Sequence, residues 1–129
     1  ELGEVATSFK HESFADNLQR CQRYYQVFAS GDNVPITNAS LYNTQFAFGF
    51  RPTYVPMRAS PTLVQVTGSN AYHFFNANTN DTFDDFVLDQ SFSTGVNLMN
   101  QDTISGTQGD GGWFQSNSSS GLVAVTAEL

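Results

Sequence analysis

The stretch Phe14-Ala-Asp-Asn-Leu-Gln-Arg-Cys-Gln-Arg-Tyr-Tyr25 begins with a helical pattern and ends with a strand-like one. Phe14, Leu18 and Cys21 recur at i, i+4 and i+7, which is the spacing of one helical face. Ser13 stands before them as an N-cap, and Asp16 three residues on gives a weak capping box. We therefore expect a helix of two to three turns that plugs one end of a β core, with Cys21 as a buried, inert thiol.

Short strand patterns separated by turn residues fill the remainder of the chain. Segment 44–50 alternates with phenylalanine at every second position, and segment 62–67 is rich in β-branched residues. Further strand patterns cover residues 24–28, 71–76, 83–89, 91–99, 112–116 and 122–127. The prolines at 52, 56 and 61 exclude a central strand between them. Seven to nine strands with regular turns predict an all-β fold, a jelly-roll-like β-sandwich with one short N-terminal helix.

The composition favours a binding or assembly module over an enzyme. The chain has 12 Phe and 5 Tyr but only 5 Lys and Arg together, and its charged residues make up 13%. That share is about half of the roughly 25% typical of globular proteins. Solubility therefore has to come from Asn, Ser, Thr and Gln, as is common in extracellular and virion β-structures.

Charge is distributed unevenly along the chain. Residues 1–58 hold all five basic residues and five acidic ones, whereas residues 59–129 hold seven acidic residues and no Lys or Arg. Such an acidic half would repel a phosphate backbone, so nucleic-acid binding is disfavoured. It suits a neutral glycan, a cation or a basic partner surface, and it is equally typical of a solvated face that keeps a protein soluble.

The domain organisation follows from length and local pattern. We expect residues 1–12 to be the tail of a preceding domain or a linker, and residues 13–129 to form a single C-terminal β-sandwich domain of a longer polypeptide. A single cysteine allows no intramolecular disulfide. No apolar run approaches the length of a membrane span, so membrane insertion is not expected.

An acidic cluster is the first candidate for chemistry, and it consists of Asp81, Asp84, Asp85 and Asp89 with Asn80. Strand alternation would put Asp84 and Asp85 on opposite faces, which is poor geometry for the carboxylate pair of a glycosidase. Oxygen ligands suit calcium, but the spacing misses the EF-hand pattern. His11 and His73 have no metal-ligand spacing. We therefore predict no cofactor and no catalytic residue, with calcium as the weaker alternative, and keep Asp84 and Asp85 as candidate ligand contacts.

Aromatic side chains beside polar turns are the stronger candidates for ligand binding. Sugar rings stack on Trp and Tyr faces while amides and carboxylates contact the hydroxyl groups. Trp113 beside a Gly-rich loop, with Tyr72 and Tyr42 near polar turns, fits this role. The alternative for Trp113 is a place in the core, and exposed aromatic residues also suit packing against identical subunits.

Four short stretches carry a family resemblance: the opening Glu1-Leu-Gly-Glu-Val-Ala-Thr-Ser-Phe9, Leu18-Gln-Arg-Cys-Gln-Arg-Tyr-Tyr25, Pro56-Met-Arg-Ala-Ser-Pro-Thr62 and the closing Ala127-Glu-Leu129. In this order they resemble the C-terminal region of tailed-bacteriophage virion proteins, especially tail fibres and related appendages. The resemblance implies a distal, trimeric β module on the phage particle and supplies no catalytic residues. Polar loops of a receptor-binding tip would then be residues 30–43, 76–82 and 100–112.

The sequence therefore favours a non-enzymatic virion structural module. It would be the distal domain of a tail fibre or similar appendage, forming a homotrimer and binding a host-surface glycan. A capsid decoration domain that contacts other virion proteins and binds no receptor is the alternative. A fragment of a polysaccharide-degrading tailspike is the third hypothesis, which the absence of β-helix repeats disfavours.

Overall fold

The computed structural model describes residues 13–76 and 80–127. The expected tail 1–12, the middle of the predicted loop 76–82 and the last two residues lie outside the described part. Helix α1 spans Phe14–Gln22, as predicted, and the Ser13 hydroxyl caps it by accepting a hydrogen bond from the Asp16 backbone N–H at 3.2 Å. Its C-terminal end passes directly into the first strand.

The prediction that the helix plugs the core, with a buried thiol, is wrong. None of the residues of α1 is buried, Phe14 is 81% exposed, and Cys21 is exposed as well. The chain becomes buried only at Gln26, whose amide donates to the carbonyl oxygens of Gln22 and Val55. The core therefore begins at Gln26, and the apolar stripe of the helix lies outside it.

Ten strands follow in the described residues: β1 Tyr25–Ser30, β2 Pro35–Leu41, β3 Ala47–Pro52, β4 Thr62–Gln65, β5 Tyr72–Phe75, β6 Asn80–Phe83, β7 Phe86–Phe92, β8 Gly95–Asn100, β9 Gly111–Ser116 and β10 Leu122–Thr126. The prediction of a polar loop at 30–43 is wrong, because β2 occupies half of it. The segment predicted as one strand at 83–89 is divided between β6 and β7. Residues 101–110 form a connection without regular structure, as expected for most of the predicted loop 100–112.

The strands form two antiparallel sheets, which confirms the jelly-roll-like β-sandwich with one short N-terminal helix. The small sheet has the order β1-β10-β4, and the large sheet has the order β6-β5-β9-β2-β3-β8-β7. β2 therefore lies at the middle of the large sheet. A bulge between Pro35 and Thr37 shifts its pairing with β9. That irregularity interrupts the two-residue alternation by which strands are recognised in a sequence.

Aromatic residues fill the core on the inner face of the large sheet. Tyr72, Phe74, Phe83, Phe86 and Phe114 are each at most 1% exposed. Phe86 meets Phe83 and Phe114 edge to face, with ring centroids 5.0 Å apart in both pairs. Such edge-to-face pairs add to the stabilisation that area burial alone provides. The abundance of phenylalanine is thus partly used inside the sandwich.

Polar side chains join the two sheets across this core. The Tyr72 hydroxyl lies 2.6 Å from the Val66 carbonyl oxygen and 2.8 Å from that of Leu122, so it connects β5 to the small sheet. The Gln65 side chain pairs with the backbone of Phe86, accepting from its N–H and donating to its C=O, each at 2.8 Å. These hydrogen bonds fix the position of one sheet relative to the other.

Candidate functional site

The outer face of the large sheet carries an exposed aromatic residue, Trp113. In the strand register, Trp113 of β9 stands between Phe75 of β5 and Asn38 of β2. Cross-strand partners share a face, so these three side chains lie side by side. The Trp113 indole stacks on the Phe75 ring, with centroids 4.6 Å apart and planes 22° from parallel, and it remains 37% exposed. The structure thus places Trp113 on the surface and not in the core.

Hydrogen bonds fix the orientation of the indole. Its Nε1–H donates to the Gln115 Oε1 at 2.8 Å. The Gln115 amide nitrogen lies 3.4 Å from the His73 Nδ1, which accepts when that nitrogen is unprotonated. Burial lowers the pKa of His73 below its ordinary value of 6.5, although Asp81 opposes the shift. His73 therefore acts as a neutral support for Gln115 near pH 7, and no metal ligation needs to be assigned to it.

A cleft opens beside the indole where β2 and β3 separate. The two strands pair at Ser40 with Phe48 and at Leu41 with Ala47, and then diverge. The cleft has a volume of about 490 Å³ and is lined by Pro35, Ile36, Thr37, Asn38, Arg51, Trp113 and Gln115. Ligand sites for small molecules typically measure roughly 300–1,000 Å³. The cleft therefore has room for a sugar ring or two.

Arg51 reaches across the gap between the strands. Its Nη1 donates to the Ile36 carbonyl oxygen at 3.0 Å, and its Nη2 donates to the Tyr54 hydroxyl at 3.1 Å. The guanidinium carbon lies 5.0 Å from the centroid of the Phe28 ring and 5.5 Å from that of Tyr54. Contacts of a cation with ring faces are attractive. The guanidinium is thus held in place at the cleft before any ligand arrives.

Tyr42 lies away from the cleft, at the turn that follows β2. It is 62% exposed and stacks on Phe48, with ring centroids 5.0 Å apart. It presents an aromatic surface at the opposite end of β2 from Pro35, where the cleft begins. The structure therefore places two of the three predicted aromatic residues, Trp113 and Tyr42, on the surface but does not bring them together.

Tyr72 has a different role from the one predicted. It is 0% exposed, so the prediction that its ring offers a stacking surface is wrong. Burial, followed by the charge of Asp85, raises the pKa of its hydroxyl to about 12, against the hydrogen bond to Val66 that lowers it. Tyr72 is a core residue that joins the sheets.

The expectation that Asp84 and Asp85 lie in a strand is wrong, because both belong to the connection between β6 and β7. The Asp84 Oδ1 accepts a hydrogen bond from the Asn70 backbone N–H at 2.8 Å, and the Asp102 Oδ2 accepts one from the Asp84 N–H at 3.0 Å. Burial, and then Asp102 and Asp84, raise the pKa of Asp85. Neither carboxylate lines the cleft, and the contacts of Asp84 hold loops together.

Metal and membrane features are also absent from residues 13–76 and 80–127. No group of three or more His, Cys, Asp or Glu side chains in that part is arranged to hold a metal ion. The same part contains no helix with the length and hydrophobicity needed to cross a membrane.

No protein-family model, curated protein or solved structure matches this chain. Function must therefore be inferred from the chemistry of the cleft and the outer face. Of the residues that line the cleft, sequence reasoning found only Trp113 and missed the polar side chains of Asn38, Arg51 and Gln115, among others. The signal that unites them is the strand register, which no local pattern contains.

Proposed function

We propose that the chain is a non-enzymatic structural module of a virion. It is the distal β-sandwich domain of a phage tail fibre or similar appendage, and it oligomerises and attaches to a host-surface glycan. The observation that carries the proposal is the exposed Trp113 indole, fixed by Phe75 and Gln115 beside a cleft with amide side chains. The four sequence stretches that resemble phage virion proteins support the location on a particle.

The cleft has the groups that a sugar ring requires. An aromatic face packs against the C–H groups of a pyranose, and amides and hydroxyls exchange hydrogen bonds with its hydroxyl groups. Trp113 supplies the aromatic face, while Asn38 and Gln115 supply amides. Because the Trp113 indole is already fixed by its contacts, it loses little conformational entropy when a ligand binds, and this favours affinity. These features support a glycan as the ligand.

Three aspartate carboxylates outside the cleft accept hydrogen bonds from the protein itself. Asp84 and Asp102 hold backbone N–H groups, and Asp81 accepts hydrogen bonds from the backbone and hydroxyl of Ser105 at 2.9 Å and 3.0 Å. Glycoside hydrolysis usually needs a pair of carboxyl groups on either side of the scissile bond. The described residues that line the cleft supply amides, a hydroxyl, an indole and a guanidinium. This lining favours binding over hydrolysis and disfavours the tailspike hypothesis.

Exposed apolar residues support self-association. Phe14 and Leu18 are 81% and 43% exposed on α1, and Phe92 is 49% exposed on the edge strand β7. Aromatic residues are enriched where subunits bury one another's surfaces. We propose a trimer, with these side chains buried between like subunits. Static light scattering of the chain should return three times the mass of one copy.

A capsid decoration domain without receptor binding is the second candidate. The apolar stripe of α1 is the observation that favours it, because Phe14 and Leu18 could equally pack on a different virion protein. Under this alternative the chain would attach to phage particles and the cleft would have no ligand.

An array of bacterial surface polysaccharides distinguishes the two candidates. We expect the chain to bind a subset of the array, and Trp113→Ala to lower that binding at least about tenfold through loss of a central aromatic contact. Tyr25→Ala is the matched control, because it removes an exposed aromatic ring of the small sheet that lies outside the cleft. Equal loss for both variants, or no binding to any polysaccharide, would refute the glycan attachment. Circular dichroism must show that both variants keep the β fold.

A further inference from the structure

We propose that the cleft between β2 and β3 selects a carboxylate-bearing pyranose, a sugar of the uronic acid class. The ring would pack on Trp113 and the carboxylate would pair with Arg51. This inference rests on the proposed glycan attachment, because it names the ligand class of the same site. It follows from the free donors of the guanidinium and from the cleft lining that Arg51 shares with Trp113.

Arg51 has unused capacity for hydrogen bonding. A guanidinium carries five N–H donors, and those of Arg51 donate one bond to Ile36 and one to Tyr54, which leaves three. Its Nε–H is buried and finds no acceptor in residues 13–76 and 80–127, so the donors that remain for a ligand are the second N–H groups of Nη1 and Nη2. A ligand acceptor at these two Nη donors adds hydrogen bonds to a group that is already charged, and such bonds are stronger than neutral ones.

Arg51 also lacks a compensating negative charge. No carboxylate in the described part of the chain lies against it, although the whole chain carries a net charge of −7. Its neighbours are the rings of Phe28 and Tyr54 and the neutral lining of the cleft. A positive charge in such surroundings is weakly screened by water, so it attracts an anion more strongly than a fully solvated one does. Charge complementarity therefore favours an anionic ligand at this position.

Trp113 supplies the second half of the recognition. Phe75 covers the indole from the side of β5, whereas the cleft lies on the side of β2, with Arg51 of β3 and Gln115 of β9 completing its lining. A sugar in the cleft would therefore meet the indole on the side that Phe75 does not occupy. The Asn38 amide, exposed and without a hydrogen bond to the described residues, lies at the same edge to contact a sugar hydroxyl.

A carboxylate matches Arg51 better than other groups of a glycan. The planar fork of a guanidinium pairs with the two oxygens of a carboxylate in one plane, and charge-assisted bonds of this kind are about twice as strong as neutral ones. A neutral hexose offers only hydroxyl groups to the same donors. A phosphate on a sugar is the competing anion, and it is tested separately below.

Titration of the 129-residue chain by ¹H–¹⁵N NMR tests the proposal with matched monosaccharides. The probes are the methyl glycosides of glucose and galactose, the corresponding methyl uronides, and glucose 6-phosphate. We expect one uronide to bind about tenfold more tightly than its neutral counterpart, the gain expected of one charge-assisted pair. The Trp113 indole N–H signal should move during the titration.

Two arginine variants provide the matched comparison. Arg51→Gln and Arg58→Gln change the net charge equally, but Arg58 packs on Tyr24, outside the cleft. We expect Arg51→Gln to abolish the preference for the uronide while Arg58→Gln retains it. Should Arg51→Gln fail to fold, Arg51→Lys keeps the charge without the planar fork and should reduce the preference by several-fold.

Several outcomes would overturn the inference. Equal affinity for a uronide and its neutral glycoside would do so while leaving glycan attachment intact, as would tighter binding of glucose 6-phosphate than of either uronide. Equal effects of the two arginine variants would mean that overall charge, and not the cleft, sets the preference. Failure to bind any of these sugars, together with an unreactive polysaccharide array, would remove the proposed attachment as well.

Discussion

Replacing Tyr72 with phenylalanine removes one buried hydroxyl and leaves the ring in place. That hydroxyl lies between the carbonyl oxygens of Val66 and Leu122, at 2.6 Å and 2.8 Å. The Leu122 oxygen keeps a second donor, because it also accepts from the Val66 N–H at 3.1 Å. The variant therefore loses about one buried hydrogen bond, and the Val66 carbonyl oxygen loses the donor that the hydroxyl provides.

A loss of this kind costs about 1–2 kcal/mol of the free energy of unfolding. With an unfolding entropy of roughly 2.1 cal/mol/K per residue, about 1.5 kcal/mol corresponds to a fall of about 5 °C in the midpoint of thermal unfolding. The loss should also depend on pH. Because the pKa of Tyr72 is raised from 10.0 to about 12, the stabilisation that its hydroxyl contributes is fully present below pH 10.0 and is lost as the pH rises through about 12. The difference between wild type and Tyr72→Phe should narrow over that interval.

Urea unfolding followed by tryptophan fluorescence measures both effects. Tyr42→Phe is the control, because the Tyr42 ring is exposed and its hydroxyl makes no hydrogen bond to the described residues. That variant should change the free energy of unfolding by less than about 0.5 kcal/mol. If both variants are equally stable, or if the gap stays constant from pH 9 to about 12, Tyr72 does not join the sheets as described.

Three further predictions concern polar and reactive groups. Asn100→Ala should lower the free energy of unfolding by about 3 kcal/mol in urea, because the buried amide accepts from the Ala47 N–H at 2.7 Å and donates to two carbonyls. Asn97→Ala, which alters a partly exposed amide, should cost less than about 1 kcal/mol, and equal losses would contradict this role. Cys21 shares the helical face of Phe14 and Leu18, which the proposed trimer buries, so it should react with a thiol reagent more slowly in the native chain than in urea, and equal rates would show that this face is not covered. Asp85→Asn should raise the thermal midpoint slightly at pH 7, because the raised pKa of Asp85 reports a disfavoured charge, and the gain should vanish below its ordinary value of 3.8. A lower midpoint at pH 7 would refute that reading.

Local patterns predicted those elements whose signals are contained in a few neighbouring residues. The Ser13 cap and the i, i+4, i+7 spacing placed α1 correctly, because a helix depends on contacts within its own turns. The β-branched run at 62–67 likewise marked β4. β2 was missed because the bulge near Ile36 breaks its alternation and its outward residues are polar. A bulge depends on the partner strand, so its position is not written in the strand itself.

Burial of individual side chains was predicted less well, for a related reason. Tyr72 and Trp113 both stand in short strands beside polar turns, yet one is buried and the other is exposed. The pairing register decides between them, since Tyr72 faces Ser116 and Trp113 faces Phe75. A shift of one residue would exchange the two faces. Cys21 shows the same limit, because an apolar helical stripe is buried only if the core leaves space for it.

The sequence alone determined the all-β class, the short capped helix and the weakly charged, aromatic-rich character of the chain. These properties depend on composition and on residues close together along the chain. Only the tertiary structure decided that Asn38, Arg51 and Trp113 line one cleft, because β2, β3 and β9 become neighbours through the strand order of the large sheet. Strand order follows from how the whole core packs, so the segment Phe14–Tyr25 specifies α1 and the start of β1 and says nothing about where the chain binds a ligand.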